Sequence, residues 1–524
     1  MERNAGCGSI LDHHHAAVLG GTFYIEVALT MKMLADLHIL VLGLGSSGLA
    51  MVRWCVLQGA KVTVVDNREQ PPCLVAMRSE NTEVTFIHGS FDAALLDDSS
   101  IKGVFKSPGL SLTQVESVWT ATQQKGLWHG TELTLFAHAM DYLAKAQAYQ
   151  PHVLAITGTN GKTTVTTLTS RLLKRAGVTV AMAGNIGPTL LDTLRENLTD
   201  LPQAWVLELS SFQLDGETQF EPTAACVLNL TQDHLDWHAD MQSYGAAKSR
   251  IYGKQAVAVM PRHDETVAAL LPKDLAKKKS DKRHVVSFGA DAPIQAGDYG
   301  LEIVNGMTWL VRASVPETEG KKSIEEEVHL QRLMPADALR IRGQHNAINS
   351  LAALALASTC GAGLAAMLYA LREYMGEPHR LQTVGVINNI EYIDDSKGTN
   401  VGATVAALNS LGKHQNIVVI LGGDAKGQDF GPLLEPLGKF ARAVVLMGKD
   451  APHIQQVLAE AEFPVLQAAD MASAVAKASA QALAADTVLL SPACSSLDMY
   501  KNYEERGQIF SECVNALVFE EGHA

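Results

Sequence analysis

The chain has 524 residues, of which 47% are hydrophobic and 19% are charged, as in a soluble globular protein. At about 150 residues per domain, this length predicts roughly three domains. The net charge of -14 argues against a nucleic-acid partner, and charged residues interrupt the longest apolar run, so no membrane span is predicted. The seven cysteines lack the spacing of metal ligands or redox pairs, which indicates free thiols and a cytoplasmic protein.

Short apolar runs alternate with helical patterns from His38 onward, which predicts a parallel sheet. The predicted strands are His38–Gly43, Lys61–Asp66, Glu83–His88 and Gly103–Ser107. Residues 1–37 precede them as an extension that we expect to be flexible. The first strand leads into Gly43-Leu-Gly45-Ser-Ser-Gly48, and Asp66 ends the second, as in a dinucleotide site. The same turn binds any pyrophosphate at a helix N-terminus, so NAD and other diphosphates both remain open.

The strongest motif is Ala155-Ile-Thr-Gly-Thr-Asn-Gly-Lys-Thr-Thr-Val165, an apolar strand that runs into a glycine-bracketed loop and then a helix. Such a loop turns successive backbone N–H groups toward one point, where they bind phosphates. In such a loop the lysine, here Lys162, binds the terminal phosphates, and the hydroxyl, here that of Thr163, binds Mg²⁺. Ile156 stands where the usual pattern has its first glycine, and Gly158 is the nearer one. The motif therefore predicts a phosphate loop of a particular subtype.

Other strands of this central block also end in polar residues. The predicted strands are Val153–Thr157, Val178–Ala183, Ala204–Leu209 and Ala224–Leu230. A helix is predicted over Asn346–Thr359. Glu208 ends one of these strands, where a Mg²⁺ ligand is expected beside a phosphate loop. Two aspartates and two histidines form a polar cluster over 233–238. The polar stretches 273–282 and 316–327 are predicted to be solvated surface loops.

The last block repeats strand and helix patterns. Its predicted strands are Asn389–Asp394, Asn416–Gly422, Ala441–Gly448 and Thr487–Pro492. A loop of the form Asp-Ser-Lys-x-Thr-Asn, residues 395–400, follows the first strand, and polar loops at 422–427 and 491–498 follow two others. Since the carboxyl ends of parallel strands share one edge, these loops are expected to share one crevice. Capped turns are the alternative explanation of these polar residues.

Together these motifs resemble the Mur ligases, the ATP-dependent amide-forming enzymes of peptidoglycan precursor assembly, and within them the D-glutamate-adding branch. The resemblance covers nearly everything from residue 38 to the end. It is carried by Thr157–Thr164, Gly184–Gly187, Glu208–Gln213, Asp233-His234, His345–Asn349, His379-Arg380, Asp395–Asn400 and Ser491–Asp498. The implied fold is α/β in three domains: a Rossmann-like N-terminal domain over 38–150, a central P-loop ATPase-type domain over 151–377, and a Rossmann-like C-terminal domain over 378–524.

The resemblance implies that UDP-N-acetylmuramoyl-L-alanine and D-glutamate are the small-molecule partners of a monomer. The UDP part would be bound by Gly45, Ser46, Ser47, Asp66, Asn67, Arg68, Ser107 and Gly109. The muramoyl-alanine part would be oriented by Asn185, Gln213 and His234. D-glutamate would be held in the third domain by Lys397, Thr399, Ser496, Leu497 and Tyr503.

The same resemblance implies an ATP site with two Mg²⁺ ions. ATP would be bound by Gly158, Thr159, Asn160, Gly161, Lys162, Thr163, Thr164, Val165, Asn349, Arg380 and Asp395. The metal ligands would be Thr163, Glu208, His234 and Lys248. The catalytic residues would be Lys162, His234 and Lys248, the last carbamylated by CO₂. From the residues alone, Lys248 is an ordinary lysine near the start of a helical pattern.

Three other functions share part of this pattern. A Mur-type ligase for L-alanine or a diamino acid would show nearly all of these motifs. A nicotinamide-dependent oxidoreductase would explain only the glycine-rich turn at 43–48 and Asp66. A regulator that binds ATP without catalysis would explain only the phosphate loop. The last two functions leave the 395–400 loop without a role.

Overall fold

The structure, a computed structural model, describes residues 32–217, 219–272, 283–315, 328–412 and 415–521. Residues 1–31 of the predicted extension and both predicted surface loops, 273–282 and 316–327, lie outside the described residues. The chain divides into two compact units. Unit 1 comprises Met1–Val153 and Thr179–Glu221, and unit 2 comprises Leu154–Val178 and Pro222–Ala524.

Unit 1 contains a five-stranded parallel sheet with the order β3-β2-β1-β4-β5. Its strands are β1 (His38–Leu42), β2 (Lys61–Asp66), β3 (Thr85–His88), β4 (Ile101–Lys106) and β5 (Trp128–Gly130). Every residue of β1 is buried, as expected for a middle strand that is covered on both faces. The helices that accompany these strands are Ser46–Leu57, Leu74–Glu80, Glu116–Gln124 and Glu132–Gln147.

The rest of unit 1 adds two strands that pair in parallel, β7 (Val180–Gly184) and β8 (Ala204–Glu208). The helix Leu190–Asn197 connects them and packs against the helix Ser46–Leu57. A short helix, Ser211–Leu214, follows β8. It begins with a capping box, in which the side chains of Ser210 and Gln213 satisfy backbone N–H groups of the first turn.

Seven strands of unit 2 lie in the order β14-β13-β12-β11-β10-β9-β6. They are β6 (His152–Thr157), β9 (Ala224–Val227), β10 (Val257–Pro261), β11 (Val285–Phe288), β12 (Tyr299–Val304), β13 (Met307–Ser314) and β14 (His329–Pro335). Pairing is parallel from β6 to β12 and antiparallel from β12 to β14. Asn305 and Gly306 connect β12 to β13 with positive φ angles of 52° and 79°, which suit a two-residue hairpin.

The helices in this part of unit 2 are Lys162–Arg175, Leu235–His238, Met241–Ser249, Glu265–Ala268, Gln344–Ser358 and Leu364–Glu373. The helix Lys162–Arg175 packs against Gln344–Ser358 and Leu364–Glu373. Every residue from Asn349 to Ala357 is buried, which is typical of a helix that is enclosed by the core. The helix predicted over 346–359 is thus confirmed with slightly different ends.

The end of unit 2 is a six-stranded sheet with the order β15-β16-β20-β17-β18-β19, in which β15 is antiparallel and the other pairs are parallel. Its strands are β15 (Gln382–Ile387), β16 (Ile390–Asp394), β17 (Ile417–Leu421), β18 (Ala441–Leu446), β19 (Val465–Gln467) and β20 (Thr487–Leu490). Neighbouring residues of β17 belong to different hydrophobic cores, Val418 to one and Val419 to the other, because side chains alternate across a strand. The helices here are Val401–Leu411, Leu434–Phe440, Ala451–Val457, Met471–Gln481 and Tyr503–Glu521.

The predicted α/β class with parallel sheets is confirmed. The strand Lys61–Asp66 has its predicted bounds, and the other predicted strands are present with ends shifted by a few residues. The sequence analysis does not predict β5, β10 to β15 or β19. In β14, polar and apolar side chains are mixed and three of the seven residues are exposed, which removes the periodic pattern of a strand. No described helix combines the length and apolar character that a membrane span requires.

Candidate active site

The phosphate loop follows β6 and leads into the helix Lys162–Arg175. Gly161 caps this helix with a φ of +83°, a left-handed conformation that residues with side chains rarely adopt. A Cβ atom at this position would lie 2.8 Å from Oδ1 of Asn349, which is closer than a van der Waals contact. The glycine therefore lets Asn349, a predicted ATP residue, approach the backbone of the loop.

Hydrogen bonds hold the loop in a defined shape. The backbone N–H groups of Thr159 and Asn160 donate to the carbonyl and side-chain oxygens of Asn229, at 3.1 Å and 2.8 Å. Nζ of Lys162 donates to the carbonyl oxygens of Gly158 and Thr159, at 2.8 Å and 2.9 Å. The lysine is thereby kept at the helix N-terminus, where an anionic phosphate is favoured.

Lys248 is buried against this loop, with 1% of its surface exposed. Its Nζ donates to the carbonyl oxygen of Gly158 at 2.9 Å and to Oγ1 of Thr157 at 3.3 Å. The ammonium also lies 4.5 Å from the ring centre of Tyr244, whose hydroxyl is 3.2 Å from Oγ1 of Thr159. The fold thus brings to the phosphate loop a lysine that local sequence cannot distinguish from a solvated one. Its carbamylation stays a prediction.

His234 adopts a φ of +55°, which is uncommon for a residue with a side chain and occurs preferentially at functional sites. Burial lowers the pKa of its imidazole to about 4, although the nearby charge of Asp233 acts in the opposite direction. The ring is therefore neutral at pH 7 and chemically able to bind a metal ion. Asp233 in turn accepts a hydrogen bond from Nδ2 of Asn400 at 3.3 Å.

A cavity of about 210 Å³ opens beside the loop in unit 2. It brings together predicted ATP residues and one predicted D-glutamate residue: Asn160, Gly161, Thr164, Asn349, Arg380, Asp395 and Lys397. Nη2 of Arg380 donates to Oγ1 of Thr163 at 3.2 Å, and its Nε is buried without a hydrogen-bond partner among the described residues. A buried guanidinium N–H that lacks an acceptor suits an anionic ligand. Burial raises the pKa of Asp395 to about 7, while the Ser491 hydroxyl favours its charged form.

Asn400 joins this site without belonging to the predicted ligand residues. Its side chain exchanges two hydrogen bonds with the side chain of Asn160, at 3.0 Å and 3.1 Å. It also caps the helix Val401–Leu411 by accepting a hydrogen bond from the N–H of Ala403 at 2.9 Å. The sequence feature that could have indicated this role is its place as the last residue of the Asp-Ser-Lys-x-Thr-Asn motif.

His345 lines the cavity, although the sequence analysis gave it no ligand role. Its Nδ1 lies 2.7 Å from Oγ of Ser410, and burial lowers the pKa of its imidazole to about 4. Apolar side chains of Ile341 and Leu381 line the same cavity. His345 belongs to the motif His345–Asn349, which contributes to the resemblance to the Mur ligases. No feature of the local sequence indicates that Ile341 is a ligand residue.

The residues predicted to hold D-glutamate lie at neighbouring strand ends. Thr399 follows β16, and Ser496 and Leu497 follow β20, with which β16 pairs in parallel. Nζ of Lys397 lies 5.0 Å from the ring centre of Tyr503. Ser496 is buried, while Leu497 exposes 66% of its surface. The fold thus gathers these residues at one edge of the sheet, and their binding of D-glutamate stays a prediction.

A second cavity, of about 470 Å³, lies in unit 1 at the glycine-rich turn. Of the residues predicted to bind UDP, those that line it are Gly45, Ser46, Ser47, Asn67, Arg68, Ser107 and Gly109. Asp66 is buried instead, and its carboxylate accepts hydrogen bonds from the N–H of Leu44 at 2.7 Å and from Nε and Nη2 of Arg68 at 2.8 Å and 2.7 Å. Burial acts to raise the pKa of Asp66, but these hydrogen bonds leave it below its ordinary value. Because both oxygens are engaged, the ribose contact of a nicotinamide site is disfavoured.

Glu208 and two predicted muramoyl-alanine residues also lie in unit 1. Oε1 of Glu208 accepts a hydrogen bond from Nδ2 of Asn185 at 2.8 Å, whereas Oε2 is buried with no partner among the described residues. A buried carboxylate oxygen without a donor fits a metal ligand. Gln213 uses Oε1 in its capping box with Ser210. No group of three His, Cys, Asp or Glu side chains suited to a metal occurs in the described ranges.

Comparison with known proteins decides the family. Family models match three successive parts: the Mur ligase MurD-like N-terminal domain at 37–126, the Mur ligase middle domain at 156–357 and the Mur ligase glutamate ligase domain at 379–494. The UDP-N-acetylmuramoylalanine–D-glutamate ligase of Albidiferax ferrireducens is 55% identical over 500 residues, which cover 94% of this chain and 99% of the relative. The chain belongs to the Mur ligase family. A ligase of the same name from Burkholderia multivorans is 48% identical, covering 92% of this chain and 98% of its own.

Solved structures of other Mur ligases share the fold. MurF from Thermotoga maritima, in complex with ADP, matches with a TM-score of 0.55 at 15% identity, covering 93% of this Mur ligase and 97% of MurF. MurC from the same organism matches with a TM-score of 0.51 at 20% identity, and the match covers 91% of this chain and 99% of MurC. The predicted family, the three-domain α/β fold and the class of ATP-dependent ligase are confirmed. The domain boundaries and the individual ligand residues stay predictions.

Proposed function

We propose that this Mur ligase joins the amino group of D-glutamate to the carboxyl group of UDP-N-acetylmuramoyl-L-alanine, with cleavage of ATP to ADP and phosphate. Relatives at 55% and 48% identity carry this activity in their names. The structural observation that supports it is the cavity of unit 2, where the phosphate loop and Arg380 meet Lys397 of the 395–400 loop. A nucleotide bound by the loop would lie beside the segment that is predicted to bring in the amino acid.

The reaction depends on positioning and charge neutralisation more than on a protein nucleophile. The substrate carboxylate attacks the γ-phosphorus of ATP, ADP leaves, and an acyl phosphate forms. The D-glutamate amine then attacks the acyl carbon, loses a proton and expels phosphate. In this proposal Lys162 holds the β- and γ-phosphates, and the unpaired Nε of Arg380 binds a phosphate oxygen. The apolar side chains of Ile341 and Leu381 suit the adenine ring.

Mg²⁺ fits the chemistry of the donor set. When bound, Mg²⁺ neutralises phosphate charge. The proposed ligands of two ions are Thr163, Glu208, His234 and Lys248. His234 is neutral and Glu208 has an unpaired buried oxygen, but an ammonium cannot bind a cation. Lys248 would therefore serve only as a carbamate, whose oxygens are carboxylate-like. We further propose that the enzyme acts as a monomer in the cytoplasm, where ATP is available.

The test is phosphate release with ATP, UDP-N-acetylmuramoyl-L-alanine and each candidate amino acid in turn. We expect D-glutamate to drive release, and L-alanine and diamino acids not to. Lys162→Ala should abolish release, while Lys174→Ala, at the exposed last turn of the same helix, should leave it unchanged. Release with another amino acid but not with D-glutamate would overturn the proposal. Thermal stabilisation by NADH but not by ATP and Mg²⁺ would favour an oxidoreductase.

A further inference from the structure

Lys106 is a fully buried lysine next to the cavity of unit 1. It ends β4 with 0% of its surface exposed, although lysine is among the residues least often buried. Its Nζ donates a hydrogen bond to the carbonyl oxygen of Leu110 at 3.0 Å. The turn from Ser107 to Leu110 forms part of the cavity wall. The ammonium is therefore bonded directly to the wall of the proposed UDP site.

The surroundings of Lys106 make its charge costly. Burial lowers the pKa of its ammonium to about 8, and the charge of Asp215 opposes this effect only in part. A buried cation is stabilised when an anion comes near. The diphosphate of UDP carries such negative charge, and it would enter a cavity whose wall the ammonium already contacts.

We propose that Lys106 is a positioning residue for the diphosphate of the nucleotide substrate. Its charge strengthens diphosphate binding, and its hydrogen bond to Leu110 fixes the turn that borders the cavity. This inference rests on the proposed function, because it takes the cavity of unit 1 to be the UDP site. None of the roles that the family resemblance implies falls on Lys106.

The proposal predicts that UDP binding is accompanied by proton uptake, an effect that a purely structural lysine would not produce. With a pKa of about 8, roughly half of the Lys106 side chains are neutral at pH 8 before ligand binds. A bound diphosphate favours the charged form, so binding takes up as much as about half a proton. UDP affinity should then fall as the pH rises through 8. Asp66, which is buried beside the cavity, has a lowered pKa, and Arg68 in the cavity wall has a raised one, so both keep their charges in this range. Burial raises the pKa of Glu132, which accepts a hydrogen bond from Ser47 of the cavity wall, to about 7, so this carboxyl is mostly charged at pH 8.

Isothermal titration calorimetry at pH 8, in two buffers with different ionisation heats, measures UDP affinity and proton uptake together. Lys106→Met keeps the length of the side chain without its charge, and Lys106→Gln keeps an N–H donor for Leu110. Lys102→Met is the matched control, because Lys102 is an exposed residue of β4 that also donates to a backbone carbonyl, that of Ser99 at 2.9 Å. A ligand-induced rise of about one in the pKa corresponds to a tenfold higher affinity of the charged form. Because only about half of the wild-type lysines are charged at pH 8 before UDP binds, we expect UDP to bind about fivefold more weakly to both Lys106 variants.

We also expect both Lys106 variants to lose proton uptake and Lys102→Met to behave as wild type. Equal affinity and proton uptake in wild type and Lys106→Met would overturn the proposal. Full affinity in Lys106→Gln would also overturn it, because the hydrogen bond to Leu110 would then suffice. If neither variant folds, the wild type decides, since absence of proton uptake at pH 8 refutes the charge effect. The titration contains no ATP or amino acid. Its result can therefore be interpreted even if the ligase assay of the proposed function fails.

Discussion

Replacing Gly161 tests how closely the phosphate loop and Asn349 must approach. Gly161→Ala places a methyl group at a φ of +83°, where an L residue costs about 1–2 kcal/mol. The methyl would also lie 2.8 Å from Oδ1 of Asn349, so the amide must retreat by about 0.5 Å or more to reach van der Waals distance. Because Asn349 lines the cavity, we expect kcat/KM for ATP to fall about tenfold or more, which is about 1.4 kcal/mol.

Gly177→Ala is the matched control for this change. Gly177 lies just beyond the other end of the same helix with a φ of +88°, and a Cβ there would meet no atom within 4 Å. Both variants should lower Tm, because each places a methyl group at a positive φ, but only Gly161→Ala should weaken the use of ATP. Thermal melts and ATP titrations of phosphate release measure the two effects. Unchanged ATP kinetics in Gly161→Ala would refute the reasoning.

Three further predictions concern residues of unit 2. Asn400→Ala removes a helix cap and two hydrogen bonds to Asn160, so the free energy of unfolding should fall by about 1–2 kcal/mol and KM for ATP should rise. An unchanged KM in steady-state assays would contradict a functional link between the phosphate loop and the 395–400 loop. Since burial raises the pKa of Asp395 to about 7 from about 4 in the unfolded chain, its ionisation destabilises the fold as pH rises through that window. Asp395→Asn should therefore lose less stability than wild type between pH 5 and pH 8 in thermal melts, and parallel losses would contradict this. Lys248→Ala should nearly abolish phosphate release, with partial recovery in a short carboxylic acid, whereas full activity without it would remove the carbamate from the mechanism.

The parts of the site that could be predicted from sequence are contiguous along the chain. The phosphate loop is recognisable because its glycines, lysine and hydroxyls must follow a strand and open a helix within a few residues. Glu208 is recognisable because it ends a buried apolar strand, and the 395–400 loop because it directly follows a largely buried strand.

Contacts between distant residues could not be predicted in this way. Asn160 and Asn400 meet although they are 240 positions apart, and Lys248 reaches a carbonyl 90 positions away. The unpaired Nε of Arg380 and the raised pKa of Asp395 likewise depend on what surrounds them rather than on their neighbours in sequence. Such properties arise from burial and packing, which a local pattern does not contain.

The sequence by itself determined the α/β class, the phosphate loop and the family, because strand periodicity, glycine placement and short motifs act between residues that are close in the chain. Only the tertiary structure decided which charges are buried. It placed Lys248 against the loop and enclosed Lys106 beside the cavity of unit 1, where desolvation shifts its pKa. Desolvation depends on every atom packed around a group, so the fold had to be known before these two lysines could be distinguished from solvated ones.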